Sequence, residues 1–255
     1  RPRLGTFRRR ALIVLVGACA GFLIFIGFRI NLPMPIILKA SQNAAADYQA
    51  WPPTRDFLDQ FKDEKDRLTI VGVNYGYLDM FYLWRERAAR VGVRNYVVMA
   101  YDQRTFAELR PTGRVLFPFQ AQPSEEMPAF DFGTQGFRSL VHTRPAILQA
   151  VLDLGYTVFY SDTDTAYRRN PYTVFDEVIA REPDLDLIVS EDGQPEGKSG
   201  YWCSCLLYLT AGPRARRLLQ LWSEECAAHP DIGNQPPMNW AAQRIPDLRY
   251  HVVPN

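Results

Sequence analysis

The stretch HTRPAILQAVLDLGYTVFYSD, residues 142–162, combines a helix, a stop and a strand. Thr143 can cap a helix that has Pro145 in its first turn, and Gly155 is a residue type that ends helices. The run that follows Gly155 is apolar and rich in β-branched and aromatic residues, and it ends at Asp162. A helix followed at once by a buried strand is typical of α/β proteins, in which helices connect parallel strands.

The same alternation of strand and helix continues on both sides of this stretch. Strands are predicted at 68–73, 95–102, 185–190 and 201–209, and helices at 54–65, 78–92 and 214–228. We therefore expect an α/β fold of Rossmann type, with a mostly parallel sheet and helices on both faces.

Composition is that of a globular protein. The chain has 255 residues, of which 47% are hydrophobic, and 29 Lys and Arg against 28 Asp and Glu leave a net charge of +1. A balanced charge argues against bulk attraction to nucleic acid, so no nucleic acid partner is expected.

The first segment predicts attachment to a membrane. Residues 1–10 form a basic tail with five arginines, and residues 11–28 carry no charge. We predict a transmembrane signal anchor at 11–30 with the tail in the cytosol, a stem at 31–66 and a lumenal domain at 67–255. This is the organisation of a single-pass type II protein of the Golgi or ER, and a cleaved signal peptide is the alternative.

The chain starts at Arg1 instead of Met and ends at Asn255, directly after the strand-like RYHVV, so we expect a piece shortened at both ends. Cys203, Cys205 and Cys226 follow the anchor and lack the paired spacing of a zinc site. In an oxidising compartment they allow one disulfide and a spare thiol, and buried free cysteines are the other possibility.

Polar residues follow several of the predicted strands. They are Asn74, Asp102, Asp162, Glu191 and Asp192. Parallel α/β sheets bind ligands beyond the carboxyl ends of their strands, so we expect these side chains to converge on one edge.

Asp162 and Asp164 are one residue apart at such a strand end. Two close carboxylates repel each other unless a cation lies between them, and hard oxygen ligands favour Mn²⁺ or Mg²⁺. A cation with open positions can also bind a diphosphate, which suits a transferase that uses a nucleotide-sugar donor. Haloacid-dehalogenase-type phosphatases share the Asp-x-Asp pattern, but there a Thr or Val stands two residues after the second Asp, where this chain has Ala166.

The segment LVHTRPAILQAVLDLGYTVFYSDTDTAYRRNPYTVF, residues 140–175, resembles the nucleotide-diphospho-sugar transferase family. These are retaining enzymes of GT-A type and include plant and algal cell-wall xylosyl- and arabinosyltransferases. Residues 69–102 are similar to the opening βαβ unit of the family. GNQPPMNWA, residues 233–241, resembles its late motif, although Asn234 stands where the family usually has Asp.

The resemblance implies a GT-A-like fold and sugar transfer, with retention, from a nucleotide-diphosphate donor, UDP above all, to a hydroxyl of a glycan or glycoprotein. It implies a metal site of Asp162 and Asp164 for Mn²⁺ or Mg²⁺, with a third ligand beyond Asn255. Catalytic roles are expected for Asp162, Asp164 and Gln235. Donor contacts are expected from Val73, Asn74, Tyr75, Asp102, Arg144 and Asp162, and contacts on the acceptor side from Glu191, Asp192, Trp202 and Asn239.

Each role has a plain structural alternative. Asn74 and Tyr75 can form a simple turn, Asp102 can cap a helix, and Trp202 and Trp240 can fill the core. A non-catalytic glycan-binding protein of the same fold is the alternative to the enzyme.

Overall fold

The computed structural model describes residues 51–117, 126–192 and 201–253. The strands are β1 (Arg67–Val73), β2 (Tyr96–Ala100), β3 (Val115–Leu116), β4 (Thr157–Ser161), β5 (Leu187–Glu191), β6 (Trp202–Leu209) and β7 (Tyr250–Val253). The α-helices are α1 (Arg55–Leu58), α2 (Leu78–Arg90), α3 (Gln103–Leu109), α4 (Gln135–Val141), α5 (Arg144–Asp153), α6 (Pro171–Arg181), α7 (Pro213–Ala228) and α8 (Gln235–Gln243).

The described strands form one mixed sheet in the order β3-β2-β1-β4-β6-β5-β7. Every pairing is parallel except the two made by β6, which runs antiparallel to both β4 and β5. Residues 192–201 alone separate β5 from β6, and an antiparallel neighbour needs only a short connection. The expected mostly parallel sheet is therefore interrupted by one reversed strand.

Helices cover both faces of the sheet, as predicted. Alternation along the strands divides the core, so that Ile70 packs with α1, α5, α7 and α8, while Val71 packs with α2, α3 and α6. Trp222 and Trp84 are the largest fully buried side chains of the two halves. Burial of each such side chain stabilises the fold by about 1.5–3 kcal/mol or more.

The folded unit begins before residue 67, where the sequence placed the end of a stem. Phe57 and Leu58 of α1 lie in the core, and the Arg55 guanidinium donates to the Leu154 carbonyl oxygen at the end of α5. Residues 51–66 are therefore part of the domain.

The predicted basic tail and anchor, residues 1–30, lie outside the described residues. Within the ranges that the structure describes, no helix is both long and apolar enough to cross a bilayer.

The carboxyl ends of β1, β2, β4 and β5 lie at the same edge of the sheet, because these strands share one direction. Asn74, Asp102, Asp162 and Asp192 follow those ends. The predicted convergence on one edge is thus a property of the fold.

Candidate functional site

Asp162 is held at the end of β4 by its backbone and by its side chain. Its N–H donates to the Cys205 carbonyl oxygen at 3.0 Å. Its Oδ1 accepts from the Tyr160 hydroxyl at 2.6 Å and from Arg144 Nη2 at 2.9 Å. Burial raises the pKa of the Asp162 carboxyl group, and the opposing effects of Arg144 and Tyr160 do not fully offset it.

Asp164 is exposed in the loop that leads from β4 to α6. Its negative charge also raises the pKa of Asp162, so the two carboxylates interact electrostatically. Thr165 N donates to the Asp162 carbonyl oxygen at 3.3 Å and turns the chain between them. The pair has the hard oxygen donors that a divalent cation prefers, with one carboxylate anchored and the other open to solvent.

Arg144 is the first residue of α5 and is only 6% exposed. Its Nη1 donates to the carbonyl oxygen of Ser204 at 2.7 Å and to Ser204 Oγ at 3.1 Å, and its guanidinium lies over the ring of Tyr160. The donors of the guanidinium thus point to β6 and to Asp162. In this arrangement Arg144 contacts the Asp162 carboxylate, and its expected contact with the donor phosphates stays a prediction.

The N-terminus of α8 joins the same network through Ser204. Gln235 Oε1 accepts from Ser204 N at 3.2 Å, and its Nε2 donates to Asp192 Oδ2 at 2.6 Å. Asn234 Oδ1 accepts from Ser204 Oγ at 3.2 Å, while Nδ2 donates to the Val141 carbonyl oxygen at 3.1 Å. The structure therefore brings together four predicted residues, namely Asp162, Arg144, Asp192 and Gln235.

Ser204 was not among the predicted site residues, although it links the two halves of this network. The signal in the sequence was a serine between Cys203 and Cys205, at a position that faces inward in an otherwise apolar strand. A buried hydroxyl of this kind requires hydrogen-bond partners, which Arg144 and Asn234 supply.

Asn239 and Trp202 are hydrogen-bonded to each other at the start of β6. Asn239 Oδ1 accepts from Trp202 N, and Nδ2 donates to Trp202 O, both at 2.9 Å. The amide thus pairs with the strand much as a neighbouring strand would. Trp202 is 7% exposed and contacts the ring of Tyr250, so its indole fills the core instead of facing an acceptor.

Trp240 differs, because it is 38% exposed and lies against the ring of His229. Glu191 is the last residue of β5 and is partly exposed next to Asp192.

Asp102 is fully buried as the N-cap of α3. Its Oδ1 accepts from Thr105 N, and its Oδ2 accepts from Tyr75 N, each at 2.7 Å. Both carboxylate oxygens are therefore used to hold the start of a helix and the end of β1, as the helix-cap alternative predicted.

A segment without helix or strand crosses the end of β1. We refer to residues 126–130 as the strap. Asn74 Nδ2 donates to the carbonyl oxygens of Pro128 at 2.6 Å and Met127 at 3.2 Å, and Gly76 N donates to Met127 O at 2.9 Å. A Cβ at Gly76 would overlap the backbone of Ala129, which explains why a glycine is needed there.

Tyr75 lies beside this strap, with the guanidinium of Arg104 3.7 Å above the centre of its ring. Arg104 in turn forms an ion pair with Glu126 of the strap. Val73, the last residue of β1, is buried. The predicted donor residues Asn74, Tyr75 and Asp102 thus lie in one network of contacts. In this network Asn74 and Asp102 hydrogen-bond to backbone groups of the strap and of Tyr75.

Within the ranges that the structure describes, no three His, Cys, Asp or Glu side chains form a ready metal site. The two carboxylates of Asp162 and Asp164 still suit a hard cation, since Mn²⁺ and Mg²⁺ accept further oxygens from a bound diphosphate and water. The edge of the sheet therefore presents the carboxylates of Asp162 and Asp164 next to a fixed set of amide and carboxylate groups from β5 and α8.

The cysteines of the domain form one disulfide and leave one spare thiol, which is the first of the two arrangements expected from the sequence. Cys203 is bonded to Cys205, and Cys226 is free and buried in α7. Burial raises the pKa of the Cys226 thiol to about 12, so the thiol is unreactive at neutral pH.

A model of the family described as nucleotide-diphospho-sugar transferase matches residues 91–252. This range contains Arg144, Asp162, Asp164 and the network around Ser204, while Val73, Asn74 and Tyr75 precede it. The match confirms the resemblance that residues 140–175 and 233–241 predicted.

Two relatives come from Arabidopsis thaliana. UDP-D-xylose:L-fucose alpha-1,3-D-xylosyltransferase MGP4 is 29% identical over 95% of this chain and 69% of its own length. UDP-D-xylose:L-fucose alpha-1,3-D-xylosyltransferase 3 is 30% identical over 67% of this chain and 47% of its own length. This chain thus spans between about half and about two thirds of these relatives.

Among solved structures, a glycosyltransferase involved in glycosylation of the major capsid of PBCV-1 aligns with a TM-score of 0.43. It is 14% identical, and the alignment covers 74% of this chain and 82% of that one.

Proposed function

The chain belongs to the nucleotide-diphospho-sugar transferase family, and from this membership we propose that it transfers a sugar from a UDP-sugar to a hydroxyl of a glycan or glycoprotein. The observation that carries the proposal is the placement of Asp162 and Asp164 together at the carboxyl end of β4. That edge of an α/β sheet is where nucleotides bind.

Asp162 and Asp164 would hold a Mn²⁺ or Mg²⁺ ion with the donor diphosphate. When bound, the cation supplies positive charge to the departing nucleotide diphosphate. Arg144 forms an ion pair with Asp162, and this favours the ionised form of a partly buried carboxylate.

The acceptor side of the proposal rests on β5 and α8. Gln235 holds the carboxylate of Asp192 in a fixed orientation, and Asp192 can then accept a hydrogen bond from a sugar hydroxyl. Asn239 supports this side indirectly, by fixing the start of β6. Trp202 is left out of the acceptor site, because its ring is in the core.

We propose retention of the anomeric configuration, with the oxygen of the leaving phosphate assisting the incoming hydroxyl. The sheet with helices on both faces is consistent with a GT-A fold. A type II anchor at 11–30 and a Golgi or ER location of the domain complete the proposal.

The test is a donor screen with the whole chain. UDP release is measured from UDP-xylose, UDP-arabinose, UDP-galactose and UDP-glucose, with Mn²⁺ and with EDTA, in the presence and absence of a methyl fucoside. We expect one donor to be consumed only with Mn²⁺, and the fucoside is chosen because the relatives' names specify L-fucose.

Asp162→Asn and Asp164→Asn should each lower that rate by about 100-fold or more, because each removes one of two charged ligands. Asp59→Asn is the matched control, since Asp59 also accepts a tyrosine hydroxyl bond but lies beside α1. Full activity in both site variants would contradict the proposal.

A further inference from the structure

The hydrogen bonds that the described residues make to the Asp162 side chain converge on one of its two oxygens. Tyr160 OH and Arg144 Nη2 both donate to Oδ1, at 2.6 and 2.9 Å. A carboxylate has about four lone-pair sites, so two donors on one oxygen leave Oδ2 with its full capacity as an acceptor.

The two donors also support each other. The Arg144 guanidinium lies 4.2 Å from the ring centre of Tyr160, and its other terminal nitrogen is held by Ser204. Tyr160 is 3% exposed and Arg144 is 6% exposed. Because both are tightly enclosed, neither can follow Asp162 if its side chain rotates, and Oδ1 is held in one position.

From this geometry we infer that Tyr160 and Arg144 are positioning residues, which hold Oδ1 of Asp162 and so present Oδ2 as a single-oxygen ligand to the donor-bound cation. The inference rests on the proposed function and adds to it a residue, Tyr160, that acts through its hydrogen bond to Asp162. Groups that hydrogen-bond to a metal-binding carboxylate orient it, and their loss commonly lowers metal affinity by 10–100-fold.

The chain contains a matched arrangement elsewhere. Tyr156 donates to Asp59 Oδ1 at 2.7 Å, and the guanidinium of Arg55 lies 5.4 Å from the ring centre of Tyr156. This second tyrosine, aspartate and arginine set is at the opposite end of β4, beside α1. Tyr156→Phe therefore removes the same kind of bond without touching the candidate site.

The experiment is a calorimetric titration of Mn²⁺ into the whole chain saturated with UDP, for wild type, Tyr160→Phe and Tyr156→Phe. We expect Tyr160→Phe to raise the Mn²⁺ dissociation constant by about 10-fold or more, and Tyr156→Phe to leave it within about twofold. Thermal unfolding of both variants checks that each is folded.

Arg144→Lys is the second variant. A lysine can reach either Asp162 or Ser204 but lacks the fork that reaches both, so Mn²⁺ binding should weaken here too. Mn²⁺ affinity in Tyr160→Phe equal to that of wild type, or lowered only as much as in Tyr156→Phe, would overturn the inference. A wild-type chain that binds no Mn²⁺ with UDP would instead overturn the proposed function.

Discussion

Replacement of Asp102 by alanine tests whether this residue acts mainly as a structural link. In the folded protein its two oxygens accept from Thr105 N and from Tyr75 N, and the residue is fully buried. Alanine therefore removes a helix cap and leaves a second backbone N–H without its partner.

The expected cost follows from these two bonds. Loss of an N-cap side chain costs about 1 kcal/mol, and an unsatisfied backbone N–H costs about 1–3 kcal/mol. We expect the free energy of unfolding of Asp102→Ala to fall by about 2–4 kcal/mol, as the sum of the two.

Urea unfolding followed by circular dichroism measures this change. Asn170→Ala is the control, because Asn170 caps α6 with one bond, to Tyr172 N at 3.0 Å, and should cost only about 1 kcal/mol. A loss in Asp102→Ala no larger than in Asn170→Ala would refute the view that Asp102 ties α3 to the end of β1.

Three further predictions concern other contacts. Asn234→Asp places a buried carboxylate oxygen against the Val141 carbonyl that now accepts from the amide, and urea unfolding should show a loss of about 2–4 kcal/mol at pH 8. The loss should be smaller at pH 5, because burial raises the pKa of the new carboxyl group and favours its protonated form. Gly76→Ala should displace the strap and speed its cleavage in limited proteolysis, whereas Gly212→Ala, where a Cβ meets Asp186 Oδ1 only at 3.6 Å, should not. Burial, together with the bond to Asp59, raises the pKa of Tyr156 from 10.0 to about 12, so the unfolded chain loses the Tyr156 proton at a lower pH than the folded chain does. The Tyr156 hydroxyl therefore contributes fully to the free energy of unfolding below pH 10, and this contribution is lost as the pH rises to 12. The fall in melting temperature at alkaline pH should be smaller in Tyr156→Phe.

Much of the fold was predictable, because local patterns and tertiary packing agree. The strand predicted at 68–73 is β1, Arg67–Val73, and the helix that Gly155 ends is α5, with Gly155 at a φ of 91°. The reversal of β6 was not predictable from its own residues. A strand that is buried on both faces has the same apolar pattern in either direction, and its partners decide the direction.

The candidate site was predictable in part, for a similar reason. Asp162 and Gln235 stand in recognisable motifs, but their connection through Ser204 depends on β6 lying next to β4. The role of Asp102 could not be predicted from the sequence, because an acid at a strand end can bind a ligand or cap the next helix. Only the packing of Tyr75 against Asp102 decides between these two roles. The strap also depends on distant contacts, since Met127 and Pro128 are ordered by Asn74.

The most direct test of the central claim, transfer of a sugar with retention, is proton NMR of the reaction product. The whole chain is incubated with Mn²⁺, a methyl fucoside and the donor that the screen identifies, for example UDP-α-D-xylose. We predict a new α-glycoside whose formation requires Mn²⁺ and is lost in Asp162→Asn. A β-glycoside would contradict retention, and a sugar acceptor left unmodified with every UDP-sugar would contradict the assignment of this site to sugar transfer.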